Sequence, residues 1–275
     1  MLPLKTLDLF SGIGGNSLAL YGLAEAVMYC EQDPHALAVL RSRQRDGLLP
    51  VCGIHTDVKT LTASALPCSI DLLVAGFPCQ DISVAGRGEG IKEGNRSGLF
   101  YEIMRLTDEL KPRLLFLENV PAIRTRGLDT VLRELTQRGY NCCWTMLSAS
   151  SVGAPHKRER WFLLAHAHQL GLQKTGSGQQ AAGSARKGVQ PITWTAQPNV
   201  GGVANGPAFG VDDSLPGYLR ASHWQEEPEG IPRITEEKEQ RVERIKRLGN
   251  GVVPLQARTA FLYLWEVMHG SAVYA

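Results

Sequence analysis

Short apolar runs alternate with helix-length stretches through the first half of the chain, and this alternation limits the fold more than any other feature. Lys5–Phe10, Ala26–Glu31, Asp71–Ala75 and Leu114–Glu118 read as strands. Ser17–Leu23, Pro34–Asp46, Leu99–Leu110 and Leu128–Arg138 carry helical patterning between them. Strands separated by helices predict an α/β domain with a mostly parallel sheet and helices on both of its faces. Asn141–Leu147 and Glu159–His166 read as two further strands, an antiparallel continuation of that sheet.

Composition shifts near Ala167. Gly171 to Gly217 holds ten glycines with no sustained period, which predicts a small irregular domain or a partly disordered segment. Glu236–Arg247 is a charged helical run. Pro254–His269 spaces Ala257, Ala260, Phe261, Leu264, Val267 and Met268 as one helical face, which predicts a last helix packed back on the first domain.

No apolar run approaches a bilayer span, and the opening MLPLKTLDLF lacks a signal-peptide layout, so a cytoplasmic setting is expected. The six cysteines show no CxxC spacing, and His166 with His168 has no cysteine or carboxylate nearby to complete a metal site, so no metal is expected. Apart from Cys79, the cysteines read as buried small hydrophobes. Residues 152–258 hold 14 Lys/Arg against 10 Asp/Glu, whereas the whole chain is only +2. Within it Gly153 to Gln190 carries six Lys/Arg and one Glu, and a basic patch there suits phosphate contacts, although a solvated surface explains it equally simply.

The chemistry-bearing residues fall where strands end, which is where open α/β sheets bind ligands. Asp8 to Gly15 is a glycine-packed strand-to-helix turn, with Ser17 at the third glycine position of a dinucleotide fingerprint. It is either a ligand cradle or a structural tight turn. Glu31 ends the next strand, in place for a ribose hydroxyl pair, and Asp57 follows a further short apolar segment, in place for an adenine amino group. Together they suggest an adenosine-containing cofactor without a phosphate cradle, for which S-adenosylmethionine fits better than NAD. Cys79, set by Pro78 after the strand Asp71–Ala75, is a candidate nucleophile, and Glu118 ends a neighbouring strand. Arg158 and Arg160 share strand parity and either point together into the cleft or meet solvent.

Phe77-Pro78-Cys79-Gln80, Glu118-Asn119-Val120, Arg158-x-Arg160, the Asp8–Gly15 turn and Gly249-Asn250-Gly251-Val252-Val253-Pro254 stand in the order seen in cytosine-5 DNA methyltransferases, which the chain resembles over roughly residues 4–164 and 245–268. The resemblance implies a Rossmann-like S-adenosylmethionine-dependent methyltransferase sheet in residues 1–164, a small irregular target-recognition domain in 165–245, and a segment 246–275 that completes the catalytic domain. It implies Cys79 as nucleophile on cytosine, Glu118 as the contact to the base, and Arg158 and Arg160 beside them. Around S-adenosylmethionine it implies Phe10, Gly12, Gly14, Glu31, Asp57, Leu99 and Asn250, with Ser11, Ile13, Gly15, Gln32, Val58, Pro78 and Val252 alongside. Gln80 to Gly98 is implied to be a mobile loop closing over a flipped-out base. The implied partner is double-stranded DNA, bound by a monomer, with a cognate restriction endonuclease as an expected companion. An RNA cytosine-5 methyltransferase and a non-catalytic DNA-binding protein are the alternatives. The sequence departs from the family pattern at Gln32, where an aromatic residue is common, and at His156, where a glutamine is usual.

Overall fold

The computed structural model describes residues 3–78, 98–168 and 249–269, together with Pro216 and Leu219. Cys79, the segment 80–97, most of the expected target-recognition region and the charged run Glu236–Arg247 lie outside the described residues.

Seven strands form one sheet in the order β3-β2-β1-β4-β5-β7-β6. They are β1 (Leu4–Leu9), β2 (Ala24–Cys30), β3 (Gly53–His55), β4 (Leu72–Gly76), β5 (Leu114–Asn119), β6 (Tyr140–Ser148) and β7 (Glu159–Ala167). The first five are parallel to one another, while β7 runs antiparallel to both β5 and β6. The α/β reading with an antiparallel continuation therefore holds. Strand order reverses between β1 and β4, so the crevice beyond their carboxyl ends is where this topology makes room for a ligand.

Period-two alternation sends each strand's side chains to two separate cores. Leu73, Ala75, Leu115 and Leu117 join the core under α3 (Leu99–Leu110), α4 (Ile123–Arg126) and α5 (Leu128–Gln137). Leu72, Val74, Leu114 and Phe116 join the opposite core, shared with α1 (Gly15–Ala19) and with α6 (Pro254–His269). Phe116 carries much of that second interface. It stacks on Phe162 with ring centroids 5.8 Å apart and meets Phe261 of α6 edge-on at 5.3 Å, both favoured aromatic geometries. The expected last helix thus packs on the first sheet.

Local chemistry sets the helix boundaries around the crevice. The helix α2 (Pro34–Arg45) starts on an Asp33 cap that accepts from the His35 and Ala36 amides, with Pro34 in the first turn. The helix expected over Ser17–Leu23 is shorter and earlier, because Gly14 caps α1 in a left-handed conformation (φ 83°) and the last helical residue is Ala19. The short apolar segment before Asp57 is β3, while α4 has no counterpart in the sequence reading; at four residues it is too short to show a period. Of the cysteines read as buried, Cys30 and Cys143 are, Cys52 and Cys142 are partly so, and Cys68 is exposed. Among the described residues no helix is long and apolar enough to cross a membrane, and no group of His, Cys, Asp and Glu could hold a metal ion.

Candidate active site

Strand register brings the ends of β2, β1, β4 and β5 level: Leu9 pairs with Cys30 and with Ala75, and Gly76 pairs with Glu118. The residues that follow these positions therefore gather along one edge of the sheet.

Glu31 organises the first half of that edge. Its Oε2 accepts the Gly12 amide at 2.8 Å and its Oε1 accepts the Asp33 amide at 2.8 Å. One carboxylate thus ties the glycine turn to the start of α2, and each oxygen keeps a second lone pair for a ligand hydroxyl. Ser11 anchors the same turn, donating from Oγ to the Asp8 carbonyl at 2.6 Å and accepting the Cys30 amide at 3.2 Å. Glycine is required at two neighbouring positions for different reasons. Gly14 has a left-handed φ that L side chains rarely adopt, while a Cβ on Gly15 would lie 2.7 Å from Cγ1 of Val252.

The expected cofactor residues divide between the two sides of the sheet. Phe10, Val58 and Leu99 belong to the core under α3, where Arg105 fixes the 58–61 segment by donating to the carbonyls of Val58 and Leu61 at 2.9 and 3.0 Å. Pro78 follows β4 by two residues, at the crevice. Asp57 is exposed and accepts the Lys59 amide at 2.9 Å, and Gln32 is exposed next to Glu31. Ile13, Gly15 and Val252 instead line a separate cleft of about 450 Å³ on the α1 and α6 side, with Arg43, His156 and Arg158. Asn250 is exposed, four residues before α6.

Glu118 dominates the second half of the edge. Its side chain is 14% exposed, and Oε1 meets Nε of Arg160 at 3.0 Å across the β5–β7 pair. A Cβ on Gly76 would stand 3.1 Å from Oε2, so glycine at the end of β4 leaves the carboxyl its space. Burial raises the Glu118 pKa, opposed by the positive charges of Arg160 and then Arg158. Arg158 is anchored on backbone carbonyls. Its guanidinium donates to the carbonyls of Gly249 and Gly251, and its backbone lies in the left-handed region at φ 23°. Arg160 is thus the arginine that pairs with Glu118.

Three polar groups of this edge lie within or beside the motifs but were given no role of their own. Asn119, 2% exposed, reaches back from β5 so that Nδ2 donates to the Phe77 carbonyl at 3.4 Å, bracing the backbone just before Pro78. Ser17, in place of the fingerprint's third glycine, donates to Oδ2 of Asp8 at 3.2 Å. Asp8 is wholly buried beneath the turn, and its Oδ1 has no hydrogen-bond partner. Asp8 and Asn119 are buried, and burial cannot be read from a strand residue's type.

Burial pushes the Asp8 carboxyl up to about 7, the Ser17 hydroxyl opposing it and Glu31 adding to it. An acid raised in the folded state binds its proton more tightly there than in the unfolded chain. Its stabilising contribution is therefore full below the unfolded value near 3.8 and is lost as pH rises through about 7. Unfolding free energy measured from pH 4 to pH 8 is expected to fall with rising pH in the wild type. Asp8→Asn is expected to remove up to about 4 kcal/mol of that fall, because each tenfold gain in proton affinity on folding is worth ~1.4 kcal/mol. An unchanged slope in the variant would show that Asp8 does not titrate as its burial requires.

A family model for C-5 cytosine-specific DNA methylases matches residues 4–241. The chain belongs to this family. Among curated relatives, the Type II methyltransferase M.CviJI of Paramecium bursaria Chlorella virus IL3A is 39% identical over 165 residues, which is 60% of this chain and 43% of the relative. The Type II methyltransferase M.HhaI of Haemophilus parahaemolyticus is 33% identical over 175 residues, covering 62% of this chain and 51% of the relative. The chain therefore spans about half the length of these curated relatives. Among solved structures, Spodoptera frugiperda DNMT2 superimposes with a TM-score of 0.51 at 20% identity, covering 70% of this chain and 56% of that one, a likeness of fold.

Proposed function

We propose that this chain transfers a methyl group from S-adenosylmethionine to carbon 5 of cytosine in duplex DNA. Membership of the C-5 cytosine-specific DNA methylase family supports the reaction and the substrate class. The observation that carries the reading is Glu118, a nearly buried carboxyl braced by Arg160 at 3.0 Å and level with the strand end that leads through Phe77 and Pro78 to Cys79.

The residues present fit such a cofactor. Glu31 retains acceptor capacity for a ribose hydroxyl pair, and the apolar surface of Phe10, Val58 and Leu99 lies beside the same turn for an adenine ring. When bound, S-adenosylmethionine supplies an electrophilic methyl group.

The chain's own residues prepare the base. Carbon 5 of cytosine is a weak nucleophile until a group adds at carbon 6, and a stacked base exposes neither ring face, so the base must leave the helix. The Cys79 thiolate bonds to carbon 6, and the electron pair displaced toward N3 takes up the proton of Glu118. Carbon 5 is then the nucleophilic end of an enamine. After methylation, carbon 5 loses its proton to solvent, the thiolate departs, and N3 returns its proton to Glu118. The raised pKa of Glu118 suits this cycle, because the group must start protonated. Residues 165–245 are the proposed reader of base edges, and a modification enzyme working in the cytoplasm beside a restriction endonuclease is the setting this reading implies.

Purified protein given S-adenosylmethionine labelled in its methyl group should leave label as 5-methylcytosine in unmethylated plasmid DNA and none in transfer RNA. Label in RNA alone, or in neither substrate, would overturn the proposal.

A further inference from the structure

We infer that Gln256, at the start of α6, is a positioning residue for the Arg158–Arg160–Glu118 group, an inference that rests on the methyltransferase reading above. Gln256 is wholly buried, and its Nε2 donates to two carbonyls at once, Leu147 of β6 and Arg158 before β7, each at 2.8 Å. Those carbonyls stand where the β6–β7 ladder ends: Leu147 pairs with Arg160, and Ser148 with Glu159. The Arg158 carbonyl also receives the Ala149 amide at 3.2 Å. One side-chain amide therefore pins the backbone at the single turn where Arg158 takes its left-handed conformation, strain that persists only where surroundings impose it.

The contact is reciprocal. While Gln256 holds the Arg158 backbone, the Arg158 guanidinium holds the Gly249 and Gly251 carbonyls in the segment just before α6. The two elements clamp each other, and two residues further along β7 Arg160 is delivered to Glu118 at 3.0 Å. The Gln256 amide must face these carbonyls with its NH₂ group, and Oε1 is left without a partner, as is Nε of Arg158. The pair is thus built for placement of the arginine backbone rather than for complete hydrogen bonding.

Gln256→Met keeps the length of the side chain and removes both donors. In methyl transfer from S-adenosylmethionine to unmethylated plasmid DNA, the full-length variant should lose at least tenfold in kcat. Its KM and its calorimetric Kd for S-adenosylmethionine should stay within threefold of wild type, with a cooperative thermal transition retained. Unchanged kcat would overturn the inference. So would joint loss of kcat, cofactor affinity and cooperative melting, because Gln256 would then only support the fold. An inactive wild-type control would sink the parent reading, and this inference with it.

Discussion

Cys79→Ser protein is expected to lose at least about 10³-fold in methyl transfer to DNA while still binding S-adenosylmethionine. A serine hydroxyl is far less nucleophilic than a thiolate at neutral pH, so addition at carbon 6 stops and carbon 5 is never activated. Apart from its neighbour Pro78, the expected cofactor residues are separate in the sequence and sit on other elements: Glu31 follows β2, and Val58 is held by Arg105 of α3. Cofactor affinity should accordingly stay within a few-fold of wild type by calorimetry. Substantial turnover by the variant would remove the covalent step from the mechanism.

Glu118→Gln should cost about 10²–10⁴-fold in kcat, the range for losing a positioned general acid. Glutamine keeps the shape above Gly76 but cannot release and recover a proton. The pH profile makes the test specific. Burial raises the Glu118 pKa against the opposing charges of Arg160 and Arg158, and the protonated form is the one that assists at N3. Wild-type activity should therefore fall on the alkaline side as Glu118 ionises, and this limb should be missing from the residual activity of Glu118→Gln. An alkaline limb that survives in the variant would assign it to another group.

The large elements of the fold are legible in the sequence for a simple reason. Strands such as Leu72–Gly76 and Leu114–Asn119 are buried on both faces, so they appear as continuous apolar runs between helical stretches. The candidate site is legible in part because its residues sit at strand ends, where a lone Glu31 or Glu118 interrupts an apolar run. What sequence does not carry is the connection between distant segments. Gln256 looks like an ordinary polar residue of the last helix, and only the folded chain brings it to carbonyls 109 and 98 positions away. Arg158 shows the same limit. Strand parity sends it to the Glu118 side, but its left-handed backbone precedes the strand and turns the guanidinium toward Gly249 and Gly251. The role of Asp8 is not legible because an acid at a strand end reads as a ligand contact or a cap. Here it is a wholly buried carboxyl that Ser17 partners from α1.

The central claim is that Cys79 attacks carbon 6 of a cytosine taken out of duplex DNA. Fluorine at carbon 5 blocks the final proton loss, so a protein that has added its thiolate and methylated the ring cannot let go. Incubating the wild-type protein with S-adenosylmethionine and DNA substituted with 5-fluorocytosine should give a protein–DNA band that survives denaturing electrophoresis, and Cys79→Ser should give none. A wild-type protein that methylates ordinary DNA yet forms no such band, or a Cys79→Ser protein that forms one equally well, would contradict the account.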